Sequence, residues 1–316
     1  MKISANTRYN PAKTKNSFGY NYETHRVITR TALKQISDFD LAVEKLFNNQ
    51  KFVTDNNKLV SVKRFIDLCA NSKDSFNNLI SRLALNKNGF ASICSTVGKG
   101  TTKAEKFKNE IADASMMPDL MREETGFFTN RHFYFPTFEK LGAKSFGLDT
   151  EKNNALSAFI DHIKKAQGTK QSFYNKPFEL GMALHFLQDM TVPMHTQRSE
   201  YKLLFKRPVL GKAYELLMHK KFENIAPTGM LHHHDELVKN YTPNLNNIKN
   251  ISENKNPCFL EILHKNVEFS LNPQLQISLK NKENWPQIQQ KCFNQAVDST
   301  VVLLNKIKNY FITQNP

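Results

Sequence analysis

The stretch from Phe178 to His195, FELGMALHFLQDMTVPMH, constrains this chain more than any other segment. His185 and Asp189 are four residues apart, so a helix presents both on one face. Met182, Ala183, Leu184, Phe186 and Leu187 surround them with apolar packing, which sets an imidazole and a carboxylate where water does not reach. Val192-Pro193 then ends the helical pattern and brings His195 back from the following turn. A lone histidine in such a helix reads as a hydrogen-bonded core residue. Three donors within eleven residues read as a metal site.

Downstream, His219-Lys-Lys-Phe-Glu223 repeats the same spacing with glutamate in place of aspartate. Imidazole nitrogen and carboxylate oxygen suit zinc, and a catalytic zinc keeps three protein ligands and one open position. Two such anchors point to more than one ion. Further donors are His25, in YETHRVITRTAL, and Asp119 and His132, in ASMMPDLMREETGFFTNRHFYF. Each has an ordinary reading when taken alone: His25 as a helix-lining residue, Asp119 as part of a Pro-Asp turn, His132 as a core residue in an aromatic run.

Taken in chain order, these residues resemble the zinc-dependent phospholipase C family, the bacterial phosphatidylcholine-hydrolysing type, whose more distant relatives are the S1/P1 nucleases. The resemblance lies in Thr24-His25 before an apolar helix, Pro118-Asp119, His132-Phe133, the run Gly181-x-Ala183-x-His185-x-x-x-Asp189-x-x-x-Pro193-x-His195, and His219-x-x-x-Glu223. It implies an all-α, single-domain helical bundle of the phospholipase C/P1 nuclease type. It also implies that His132, His185 and Asp189 hold one zinc ion, that His195, His219 and Glu223 hold a second, and that His25 helps hold a third that shares Asp189. Asp119 takes the role of general base. The chain departs from the family at one point: relatives complete the third site with an N-terminal tryptophan, whereas the one tryptophan here is Trp285. Two zinc ions are therefore expected, and the third stays open.

The function so implied is hydrolysis of the glycerol-side phosphodiester bond of phosphatidylcholine-like phospholipids, giving diacylglycerol and a phosphorylated head group. The partner is then a phospholipid membrane or micelle surface. Two alternatives stand beside it. A zinc nuclease would act on single-stranded nucleic acid, although that family usually ends its ligand series with aspartate where this chain has Glu223. A noncatalytic relative would use the same helical scaffold to bind a membrane or a protein.

Composition sets wider bounds. With 316 residues and 40% hydrophobic content the chain can bury the core of one domain spanning 1–316, with an insertion around 48–110 and a C-terminal helical segment over 257–316. The balance of 44 Lys and Arg against 29 Asp and Glu gives a net charge of +15, which favours anionic surfaces without choosing between lipid and nucleic acid. No apolar run is long enough to span a bilayer, and MKISANTRYNPAK is basic but lacks the apolar core of a secretory leader. The expectation is cytoplasmic residence or export by a leader-independent route, including delivery into a host cell. Cys69, Cys94, Cys258 and Cys292 are too far apart for a disulfide framework and read as free buried thiols.

Along the chain, apolar spacing predicts helices from Val27 to Leu46 with a break near Asp38 and Asp40, from Ala104 to Ile111, from Ala155 to Ile163, and from Trp285 to Phe311. SICSTVGKGTTKAEK lacks a phosphate-binding GxxxxGK[ST] pattern and reads as a loop. Asn240 to Asn254 reads as a solvated connector, and His232-His233-His234-Asp235 as a polar loop at the rim of the cleft.

Overall fold

The structure is a computed structural model that describes residues 22–49, 100, 102–120, 132, 134, 154–167, 176–196, 230–251, 258–279 and 281–313. His219 and Glu223 lie outside these residues, as do Cys69, Cys94 and most of the expected insertion. Among the described residues the elements are all helical, and none is a strand. They are α1 (Tyr22–Lys34), α2 (Phe39–Asn49), α3 (Lys103–Ala114), α4 (Met117–Leu120), α5 (Ala155–Gln167), α6 (Lys176–Asp189), α7 (Pro193–Thr196), α8 (Met230–Lys239), α9 (Leu245–Ile251), α10 (Phe259–Ser270), α11 (Pro273–Ser278) and, after a 3-10 turn at Lys282–Asn284, α12 (Trp285–Thr313).

Several boundaries follow from local chemistry. At the start of α3 the Thr102 hydroxyl accepts from the Glu105 amide at 3.1 Å while the Glu105 carboxylate accepts from the Thr102 amide at 3.2 Å. This reciprocal pair satisfies two donors that a helix start leaves open. The end of the expected loop is therefore a helix start. Asn272 caps α11 through Gln274 N at 2.9 Å, with Pro273 in the first turn where it has no amide bond to lose. The break between α1 and α2 falls where the sequence places it, and Asp38 makes the turn with φ of 61°, a conformation that Asp tolerates better than most residues. Beyond Pro286, α12 contains neither glycine nor proline, and it runs 29 residues without a break.

The centre of the bundle is α6, whose residues from Leu180 to Asp189 are all buried. It lies against α3 and α5, and it also touches α1 and α12. At Gly181 it crosses the backbone of Ile111 and Ala114 with no room for a side chain. The long α12 then packs across α1, α2, α9 and α10. Phe159, Leu180, Leu184, Phe186, Phe293 and Leu303 belong to the main core. A smaller core of Val192, Leu275, Trp285, Ile288 and Cys292 sits beneath the turn that leads to α7.

Two expected loops are helical instead. His232, His233 and His234 belong to α8, where Thr24 Oγ1 lies 2.8 Å from the His234 ring Nε2 and ties α8 to α1. The 240–254 connector contains α9, anchored because Asn247 donates to Asp298 at 2.7 Å and Tyr241 donates to the same carboxylate at 2.9 Å. Polar side chains that look solvated in sequence here satisfy a buried acid. Of the thiols in view, Cys258 is exposed rather than buried; Cys292 is buried, which pushes its thiol up to about 12.

Candidate metal centre

The last two turns of α6 carry the site, and their geometry is fixed from several sides. A helix end leaves carbonyls without amide partners. Here Leu187 O accepts from Asn266 Nδ2 at 2.9 Å, Gln188 O from Thr191 N at 3.0 Å, and Asp189 O from Val192 N at 3.0 Å. Asn266 is itself held by Gln295 and Ser299 of α12. The turn that bears His185 and Asp189 is thus clamped by α10 and α12 before any ligand is considered.

His25 of α1 joins His185 and Asp189, and one ligand atom from each lies within 4.8 Å of the others. All three are completely buried. The His25 and His185 rings face each other with centroids 3.9 Å apart. His25 Nε2 is 3.4 Å from Asp189 Oδ1, and His185 Nε2 is 3.2 Å from Asp189 Oδ2. His132 stands beside them, its Nδ1 3.0 Å from both Asp189 Oδ2 and His185 Nε2. His195 donates from Nδ1 to the His132 carbonyl at 2.6 Å, and Tyr134 N donates back to the His195 carbonyl at 2.9 Å. This double tie fixes the segment holding His132 to α7.

Electrostatics favour a cation here. Burial lowers the basicity of His25 well below the usual imidazole range, and proximity to His185 adds to the effect. Burial likewise lowers His185, against the pull of Asp189. For Asp189 burial works toward the neutral acid, but the neighbouring imidazoles of His195 and His185 and the hydrogen bond from His132 outweigh it and hold the carboxyl well below the ordinary range. Two neutral imidazoles beside one buried carboxylate are the donor set that zinc accepts. Asp189 Oδ1, moreover, is buried and takes no hydrogen bond. The His25, His185 and Asp189 group can hold a metal ion.

Of the residues expected from sequence, five converge: His25, His132, His185, Asp189 and His195. Asp119 is present as backbone in α4, which packs against α1 and α6, but its side chain lies outside the description, as do His219 and Glu223. The sequence reading misses the residues that orient the imidazoles. His185 Nδ1 donates to the Ser115 carbonyl at 2.9 Å, and His25 Nδ1 donates to Gln188 Oε1 at 2.9 Å. Gln188 offers a signal that could have been used, being an amide within an otherwise apolar buried stretch of helix. Ser115 offers none. No family model matches the chain, and neither a curated protein nor a solved structure matches it.

Proposed function

We propose that this chain is a zinc-dependent phosphodiester hydrolase of the phospholipase C type, acting on phosphatidylcholine-like lipids at a membrane or micelle surface. One observation carries the reading: His25, His185 and Asp189 come from two helices into one buried group with ligand atoms within 4.8 Å. His132 and His195 stand beside it, which supports the reading. In this reading His132, His185 and Asp189 hold the first ion, His195 joins His219 and Glu223 around the second, and His25 with Asp189 serves the third.

When bound, zinc polarises a phosphodiester and makes water a stronger nucleophile near neutral pH. The chain's own contribution is to orient that chemistry and to move the proton. Asp119 accepts the proton of the attacking water; its backbone follows Ser115, whose carbonyl orients His185, by about one helical turn. The net charge of +15 favours approach to an anionic surface. Among the described residues no helix is long and apolar enough to cross a membrane.

The test is a parallel assay of the zinc-loaded protein on phosphatidylcholine mixed micelles and on single-stranded DNA, with products identified by mass spectrometry. Diacylglycerol with phosphocholine supports the proposal. Release of nucleotides in its place assigns the site to a nuclease, and full zinc occupancy without turnover of either substrate assigns the chain to a noncatalytic role.

A further inference from the structure

The hydrogen bonds behind the imidazoles have a definite direction, and it can be followed atom by atom. It starts at Ala112 O in α3, a carbonyl that can only accept. The Ser115 hydroxyl donates to it at 2.7 Å, which commits the one hydroxyl proton of Ser115. Thr29 Oγ1 of α1 lies 3.2 Å from that hydroxyl oxygen and must donate to it. With its proton used, Thr29 can only accept from Gln188, whose Nε2 is 2.9 Å away; the same Nε2 reaches Thr300 Oγ1 of α12 at 3.3 Å. The Gln188 amide is therefore turned with Oε1 toward His25 Nδ1, at 2.9 Å. His25 must carry its proton on Nδ1, and its Nε2 presents a lone pair toward Asp189. Ser115, Thr29, Gln188, Thr300 and His25 are all buried, so water does not scramble this order.

The other face of Ser115 does the same for His185, since its main-chain carbonyl takes the His185 Nδ1 proton at 2.9 Å. We infer that Ser115 is a shared positioning residue that sets both facing imidazoles in the tautomer able to bind metal through Nε2, His185 directly through its carbonyl and His25 through the Ser115–Thr29–Gln188 relay. The inference deepens the metal-site reading, but it concerns proton positions in the metal-free protein and needs no lipid hydrolysis to be true. Partners that fix the outer nitrogen of a ligand histidine typically change metal affinity roughly 10- to 100-fold when removed.

The experiment uses the full chain labelled with 15N-histidine and free of metal. Long-range proton–nitrogen correlation reads the tautomers of His25 and His185, with assignments made by loss of each signal in His25→Gln and His185→Gln. Both rings are expected with the proton on Nδ1. In Ser115→Ala the carbonyl survives while the hydroxyl is lost, so His185 keeps its tautomer and His25 becomes a mixture. Titration of the same protein with Zn2+ against a chelator then shows about tenfold weaker binding at the His25 site. Ser115→Ala combined with Gln188→Glu restores both readouts, because a carboxylate can only accept from His25 and no longer depends on the relay. Thr29→Val breaks the relay one link further on and reproduces the Ser115→Ala result should that variant fold poorly. A wild-type His25 protonated on Nε2, or a His25 tautomer and zinc affinity unmoved by both Ser115→Ala and Thr29→Val, overturns the inference. Correct tautomers in a chain that takes up no Zn2+ leave the relay standing and reject the zinc reading instead.

Discussion

Gly181 lies so close to Ala114 that a Cβ built on the glycine would come within 2.5 Å of the alanine Cβ. This contact sets the spacing between α6, which carries His185 and Asp189, and α3, which leads into Ser115. Gly181→Ala must push the two helices apart, because the Ile111 and Ala114 backbone cannot swing aside as a flexible side chain would. A loss of about 1–3 kcal/mol is expected from overpacking of this kind, read as a lower denaturation midpoint. Zinc affinity should fall in the same variant, since the Ser115 carbonyl moves with α3. Unchanged stability would contradict the close approach.

Asp189 is the one carboxylate of the buried group, so its charge decides whether a cation is held. Asp189→Asn should remove at least one zinc per chain, measured by elemental analysis after dialysis against trace zinc. Zinc at 100 times its dissociation constant stabilises the wild type by about 2.7 kcal/mol, and a chelator should abolish that gain in the wild type and change little in the variant.

Asp119 has a different expected signature. Asp119→Asn should lower turnover of the lipid roughly 10²- to 10⁴-fold with zinc content kept, which is the usual contribution of a general base. Loss of zinc in proportion to activity would make Asp119 a ligand instead.

Asp113 offers a test by pH. Its buried carboxyl is raised from the ordinary 3.8 to about 6, chiefly by burial and against the pull of Arg26 and Arg30, whose guanidinium nitrogens lie 3.7 and 3.6 Å away. Between those two values the folded chain holds a proton that the unfolded chain releases, so stability falls as pH rises through this window. The shift corresponds to about 3 kcal/mol. Asp113→Asn cannot titrate, and its unfolding free energy minus that of the wild type should therefore grow by roughly 2–3 kcal/mol between pH 4 and pH 7. A flat difference would reject the raised acid.

The sequence makes the skeleton of the site legible and hides its tuning. Helical spacing identifies His185 with Asp189, and the Val192-Pro193 stop locates the turn to His195, because both are local properties of one segment. The helix starting at Lys103 was legible too: Thr102-x-x-Glu105 is a reciprocal cap, overshadowed by the glycines just before it. The α8 and α9 helices are harder, since their polar residues find partners on α1 and α12 that are hundreds or tens of positions away. The same limit hides Ser115 and Thr29. Their roles depend on which proton points where in a folded interior, and no spacing rule encodes that.

The Gln188 amide nitrogen has two hydroxyl partners on distant helices, Thr29 of α1 at a separation of 159 residues and Thr300 of α12 at 112. During synthesis α6 therefore leaves the ribosome well before Thr300 exists. Until α12 docks, Gln188 lacks one of the two hydroxyls that hold its amide, and the α6 turn lacks the Ser299 and Gln295 partners that secure Asn266. The full set of contacts around the candidate ligands is thus a late product of folding, complete only once α12 has been made and has docked.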